Sequence, residues 1–265
     1  MNRIDTVFAE LNKRKKKALI TFTTAGDPTL VATERIVKAM VRAGADIVEL
    51  GIPYSDPIAE GPVIQAANIR ALKNQIRIRD IMRTAAAIRK QVQAPLLFLL
   101  YYNCILQYGP EHFFEECAHA CINGLIIPDL PFEEQEELKT LSRKHDIIVI
   151  SMVTPISNTR IGKIVKNARG FIYCVSSLGV TGVRSKFSTD FRAFMDSIRK
   201  QTALPRAIGF GISTPDHART LKQYCEGIIV GSAIVKLIGQ AGSQAEAIKN
   251  VSVFVRSMRK ALDEK

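Results

Sequence analysis

The chain is predicted to be an α/β protein forming a single (β/α)8 TIM barrel, and three observations carry that prediction. Eight short runs are almost continuously apolar instead of alternating, as parallel strands covered on both faces require. They recur with helical segments between them, in a repeated order of helix, glycine, strand, polar loop and helix. The first run is followed by Thr24-Ala25-Gly26-Asp27-Pro28 instead of the glycine-rich fingerprint of an open, doubly wound sheet. A length of 265 residues leaves room for two domains, yet no linker interrupts the pattern, so residues 1–265 read as one domain.

The elements follow in order. Ile4, Val7, Phe8 and Leu11 share one face of an extra N-terminal helix, expected to plug the bottom of the barrel. Lys13-Arg14-Lys15-Lys16-Lys17 then reads as a solvated basic turn into the first strand, not as a nucleic-acid patch. Strands are expected at 18–23, 45–50, 95–101, 124–128, 146–151, 170–175, 205–210 and 226–230. About fifty residues separate the second and third, which makes room for a long loop and an inserted helical segment after strand two, at 63–73 and 79–91. Asp27-Pro28, Asp129-Leu130-Pro131 and Thr214-Pro215 offer helix caps with proline near the first turn. Gly44, Gly124, Gly170 and Gly227 stand where helices end and positive φ is wanted.

Composition narrows the function classes. With 47% hydrophobic residues the chain builds a core instead of remaining disordered. Its longest apolar run, 94–102, falls short of the roughly 18 residues that a membrane span needs. Asp5 and Glu10 interrupt the N-terminal segment where a signal peptide would be apolar, so a cytoplasmic location is expected, with no membrane partner. Five cysteines, an odd number, suit reduced thiols. The net charge of +12 fits a nucleic acid, an anionic substrate or a hydrated surface equally well.

In such a barrel the chemistry gathers at the C-terminal ends of the strands. There Glu49 stands out, a carboxylate inside Ile47-Val48-Glu49-Leu50-Gly51. It either ion-pairs with a basic neighbour or, if buried alone, has a raised pKa suited to proton transfer near neutrality. The loop Pro53-Tyr54-Ser55-Asp56-Pro57-Ile58-Ala59-Glu60-Gly61-Pro62 supplies a second carboxylate, Glu60, able to return over the mouth for paired acid/base work. Asp56 and Glu60 are equally compatible with a solvated surface loop. Three glycine turns, Gly179-Val180-Thr181-Gly182, Gly209-Phe210-Gly211-Ile212-Ser213 and Gly231-Ser232-Ala233, each follow a strand. They suit a phosphate cradle, with a helix starting at Ser232 aimed at the anion. No expected strand carries a lysine, so carbon–carbon cleavage would run on acid/base chemistry and not through a Schiff base. His112, His119, His145 and His217 fall in helical stretches. Cys117 and Cys121 are expected on one side of a helix with His119 on another, so no metal site is expected.

The block Val48-Glu49-Leu50-Gly51-Ile52-Pro53-Tyr54-Ser55-Asp56-Pro57-Ile58-Ala59-Glu60-Gly61-Pro62-Val63-Ile64-Gln65 closely resembles the signature of the tryptophan synthase α subunit family. The likeness extends through Thr24-Ala25-Gly26-Asp27-Pro28, Tyr101-Tyr102-Asn103, Pro128-Asp129-Leu130-Pro131 and the first two glycine turns. It implies a retro-aldol cleavage of indole-3-glycerol phosphate to indole and glyceraldehyde 3-phosphate, without a cofactor in this chain. It further implies an α2β2 complex in which the β subunit holds pyridoxal phosphate and receives the indole. By the resemblance Glu49 transfers protons, Glu60 accepts the indole N–H, and Phe22 and Tyr101 wall the ring. Thr181 reaches Glu60 from a closing loop, and Gly182, Gly211, Gly231 and Ser232 hold the phosphate. Pro53, Asp56, Asn103 and Asp129 form the implied partner surface. Two positions depart from the family: Glu60 replaces its usual Asp, and Cys104 stands where Pro often follows Asn103. The first admits an alternative, an α-type activator of a β subunit with weak or no cleavage of its own. An isomerase of a phosphorylated sugar would share the phosphate cradle but would leave the block from Pro53 to Gln65 unexplained.

Overall fold

A computed structural model describes residues 1–175, 189–209 and 211–264. Its strands are β1 (Ala18–Thr24), β2 (Ile47–Gly51), β3 (Leu96–Leu99), β4 (Gly124–Ile126), β5 (Ile148–Val149), β6 (Ser151–Val153), β7 (Ile172–Val175), β8 (Arg206–Gly209) and β9 (Gly227–Val230). All pairings between them are parallel, in the order β5-β4-β3-β2-β1-β9-β8-β7-β6. The two edges of this sheet, β5 and β6, are successive pieces of the segment expected as one strand. The Ile150 N–H still bonds to Leu125 O on the β4 side at 2.8 Å, whereas Ser151 onward registers with β7. One stretch of chain thus passes from one neighbour to the other, and the sheet curls into a nearly closed barrel.

The N-terminal helix α1 (Arg3–Lys13) seats as expected. Asn2 caps it by accepting from Ile4 N–H at 3.0 Å, and its Nδ2 donates to Asn123 O and Asp146 O, latching the helix under β4 and β5. Ile4, Phe8 and Leu11 then join Ile20, Ile47, Leu97, Ile126, Phe171, Ala207 and Ile229 in one buried cluster inside the barrel. The rings of Phe8 and Phe171 lie 5.5 Å apart. A second, larger cluster lies between the strands' outer faces and the helices, where Leu19, Val48, Leu50, Phe98 and Ile208 meet Ile36, Met40, Ile88 and Val255.

The outer helices are α2 (Leu30–Arg42), α3 (Pro62–Leu72), α4 (Ile78–Arg89), α5 (Tyr102–Tyr108), α6 (Pro110–His119), α7 (Glu136–Lys144), α8 (Ile161–Lys166), α9 (Thr189–Arg199), α10 (Pro215–Leu221), α11 (Ser232–Gln240) and α12 (Gln244–Asp263). The insertion after strand two holds α3 and α4.

Several local expectations need correction. Asp27 caps no helix: α2 is capped by Thr29, and Asp27 instead accepts both Nε and a terminal nitrogen of Arg70, at 2.8 and 2.7 Å. Asp129 likewise accepts Tyr102 N–H at the start of α5. Thr214 does cap α10, with Pro215 in its first turn. Gly44 and Gly170 have positive φ, but Gly124 and Gly227 lie inside strands. Close packing accounts for them, since a Cβ on Gly124 would stand 2.9 Å from Ile148 O and one on Gly227 3.1 Å from Ala18. Cys121 lies beyond the end of α6 with φ 55° and is exposed, whereas Cys117 is buried, so the two do not share a helix face. Cys104 is also buried, within α5.

Candidate active site

Strand register puts the central groups on one level. Phe22 pairs across β1 and β2 with Glu49, which in turn pairs with Leu97 on β3. Parity along β2 turns Glu49 to the same side as Ile47, into the barrel, while Val48 and Leu50 face the helices. Phe22 packs with Ala67 of α3, Val235 of α11 and Leu99. Glycine makes room for that ring, because a Cβ on Gly51 would lie 2.6 Å from it.

Glu49 is 1% exposed, and neither carboxylate oxygen has a hydrogen-bond or ion-pair partner among the described residues. The ion-pair alternative therefore fails. Burial alone pushes its pKa from 4.5 up to about 8. Tyr173, turned inward on β7 between Phe171 and Val175, was missed by the sequence reading. Burial first, and then the charge of Glu49, weaken its acidity. Its hydroxyl fills the space beside Gly209, where an added Cβ would approach it to 2.5 Å.

A carboxyl kept neutral by the fold contributes stability while it is protonated. That contribution is full below about 4.5 and is lost as pH rises through about 8. Wild-type protein should therefore lose more stability than Glu49→Gln between about pH 5 and about pH 9 in urea denaturation. Parallel pH profiles for the two proteins would refute an unpaired, buried Glu49.

Glu60 is 9% exposed, so its side chain turns inward from a loop whose tip is solvated. Its Oε2 accepts from Asn68 Nδ2 at 2.6 Å, and its backbone carbonyl accepts from Gln65 Nε2 at 2.8 Å. Burial raises its pKa and the Asn68 hydrogen bond opposes that rise. The preceding residue is held as well: Ala59 N–H donates to the Tyr101 hydroxyl at 3.0 Å. Tyr101 stacks on Tyr54, with centroids 4.9 Å apart, and burial pushes its phenol up to about 12. Asn103 Nδ2 donates to the Tyr54 hydroxyl at 3.3 Å. One chain of contacts thus joins Asn103, Tyr54, Tyr101 and the Glu60 loop. Pro53 is buried, whereas Asp56 is exposed and bonded to Ser55 Oγ, as a surface acid would be. Asn103 is exposed and Asp129 half-buried.

At the ends of β8 and β9, Gly211 has φ +75° with open space where a Cβ would stand, and Gly231 precedes α11, which starts at Ser232 as expected. These positions can offer backbone N–H groups and a helix N-terminus to an anion. Thr181 and Gly182 lie outside the described residues. Asn68, Gln65 and Tyr54 were, like Tyr173, not singled out from sequence. For Tyr173 the inward parity of 171, 173 and 175 was the available signal.

The comparisons agree on one family. A family model described as tryptophan synthase alpha chain matches residues 8–263. The tryptophan synthase alpha chain of Caldanaerobacter subterraneus subsp. tengcongensis is 49% identical over 262 residues, covering 99% of this chain and all of the relative. That of Clostridium kluyveri is 47% identical over 263 residues, again covering 99% of this chain and the whole relative. Among solved structures, the tryptophan synthase alpha chain of Legionella pneumophila subsp. pneumophila superposes with a TM-score of 0.90 at 34% identity, over 99% of this chain and 98% of that one. A chain of Mycobacterium tuberculosis tryptophan synthase gives 0.91 at 30% identity, over 100% and 99%.

Proposed function

The chain belongs to the tryptophan synthase alpha chain family, and from that premise we propose how its own residues carry the reaction. The protein cleaves indole-3-glycerol phosphate to indole and glyceraldehyde 3-phosphate in L-tryptophan biosynthesis, and it pairs with a β subunit that receives the indole. The observation that carries the mechanism is the unpartnered, buried carboxyl of Glu49.

With a pKa of about 8, Glu49 is mostly protonated at neutral pH. It delivers that proton to indole C3, leaving positive charge on the ring nitrogen. The resulting carboxylate takes the proton of the adjacent side-chain hydroxyl. The carbon–carbon electron pair returns to the ring, the hydroxyl carbon leaves as an aldehyde, and Glu49 regains its starting state. Glu60 accepts the indole N–H and offsets the developing charge. Phe22 and Tyr101 wall the ring, and Gly211, Gly231 and Ser232 hold the phosphate together with Gly182. Thr181 would bridge to Glu60 from its loop. These steps need no cofactor in this chain, and pyridoxal phosphate belongs to the β subunit. We further propose that residues 1–265 act as one domain in the cytoplasm. The partner surface comprises Asp56, Asn103 and Asp129, and buried Pro53 belongs to it by shaping the loop that carries Asp56. Ile58, 79% exposed in the same loop, supports an apolar contact there.

Release of indole from indole-3-glycerol phosphate, with and without added β subunit, tests this reading. Turnover is expected in both and greater in the complex. Its absence from both would favour an activator without cleavage of its own. Because the Glu60 carboxylate is bonded to Asn68 of α3, Glu60→Asp should change kcat/KM by no more than about tenfold. A gain of several orders of magnitude would mean that Glu60 had cost the protein its efficient chemistry.

A further inference from the structure

Asn68 occupies a position that the fold alone does not explain. It lies two turns into α3, 3% exposed, where asparagine is a poor helix former and a buried amide is costly without partners. Its Nδ2 finds one in Glu60 Oε2. Gln65, three residues earlier on the same side of α3, holds the backbone carbonyl of the same residue. The helix that presents both is itself fixed: Arg70 forms its two bonds to buried Asp27, and Asn74 Nδ2 donates to Pro28 O at 2.7 Å. Glu60 is thus gripped at carboxylate and backbone by one rigid element. Among the described residues its Oε1 takes no hydrogen bond.

We propose that Asn68 is a positioning residue for the cleavage reaction, drawing back the Glu60 side chain by its Oε2 so that Oε1 is presented to the indole N–H. This rests on the reading of Glu60 as the acceptor for that group. Among the described residues the titratable group that faces Glu60 is Tyr101, just beyond β3, whose acidity the Glu60 charge weakens, while Asn68 and Gln65 carry no charge. Removing Asn68 therefore takes away the hydrogen bond that favours the ionised form of Glu60.

The test compares Asn68→Ala in the wild-type and Glu60→Asp backgrounds, in complex with the β subunit. Shortening the arm carries the carboxylate beyond hydrogen-bond reach of Asn68, so the two substitutions should not be additive. In the wild-type background kcat/KM for indole release should fall about 10- to 100-fold, mainly through kcat. In the Glu60→Asp background it should fall less than about threefold. Carbon-13 NMR titration of the Glu60 carboxyl, assigned with Glu60→Gln, should move upward in Asn68→Ala, a readout independent of turnover. Asn68→Gln combined with Glu60→Asp should restore the missing reach and bring the residue-60 carboxyl titration back down relative to Glu60→Asp alone. Equal losses in both backgrounds with an unmoved Glu60 titration would reduce Asn68 to a structural role and overturn the proposal. Absence of indole from the wild-type complex would overturn the reading of the site itself, and the proposal with it, whatever the titration showed.

Discussion

Replacing Glu49 by Gln should lower indole release by about a thousandfold or more, in kcat and kcat/KM alike, with little change in KM. The substitution keeps shape and burial but removes the acidic proton, and among the described residues no other carboxyl lies within the strands that frame this level. Glutamine can neither protonate indole C3 nor accept the hydroxyl proton afterwards, so both transfers are lost together. At about pH 9 the variant should fold at least as well as wild type, because the unpartnered buried carboxyl of the wild type is then ionised and its contribution to stability is lost. Steady-state assays with indole detection check this, and activity within about tenfold of wild type would remove Glu49 from the chemistry.

The second large effect concerns stability. Phe8→Ala should destabilise the protein by about 3 kcal/mol, seen as a lower urea midpoint with an unchanged slope. The ring is buried at the base of the barrel and packs against Phe171, which has no exposed surface. Nothing else from α1 can refill that space, since Ile4 and Leu11 already occupy neighbouring positions in the same cluster. Because the proposed active groups lie toward the opposite ends of the strands, indole release at low temperature should remain near wild type. A loss below about 1 kcal/mol would mean that the plug adds little to barrel stability.

Much of the barrel is legible in the apolar runs, because strands covered on both faces leave no alternation to misread. Glu49 is legible for the same reason: a charge within such a run demands an explanation. The division at Ile150 is not, since a strand that transfers its hydrogen bonds between neighbours keeps the same composition. Gly124 and Gly227 resemble helix-ending glycines in sequence, and only the approach of Ile148 and Ala18 shows that packing chose them. Asn68 reads as an ordinary polar helix residue. Its role depends on where the preceding loop returns, which no local periodicity encodes. Asp27 and Asp129 fail as caps because distant partners, Arg70 and the Tyr102 N–H, compete successfully for them.

The seat of α1 bears on how the protein is made. Ala207 on β8 and Ile229 on β9 belong to the same cluster as Ile4, Phe8 and Leu11, and the latch of Asn2 needs the chain near Asn123 and Asp146. Synthesis delivers α1 long before β8 and β9. Until then three apolar side chains ride on the nascent polypeptide with an incomplete socket, open to chaperones or to wrong contacts. The helix α1 thus leaves the ribosome well before the strands that complete its socket, and it is fully seated only after they follow.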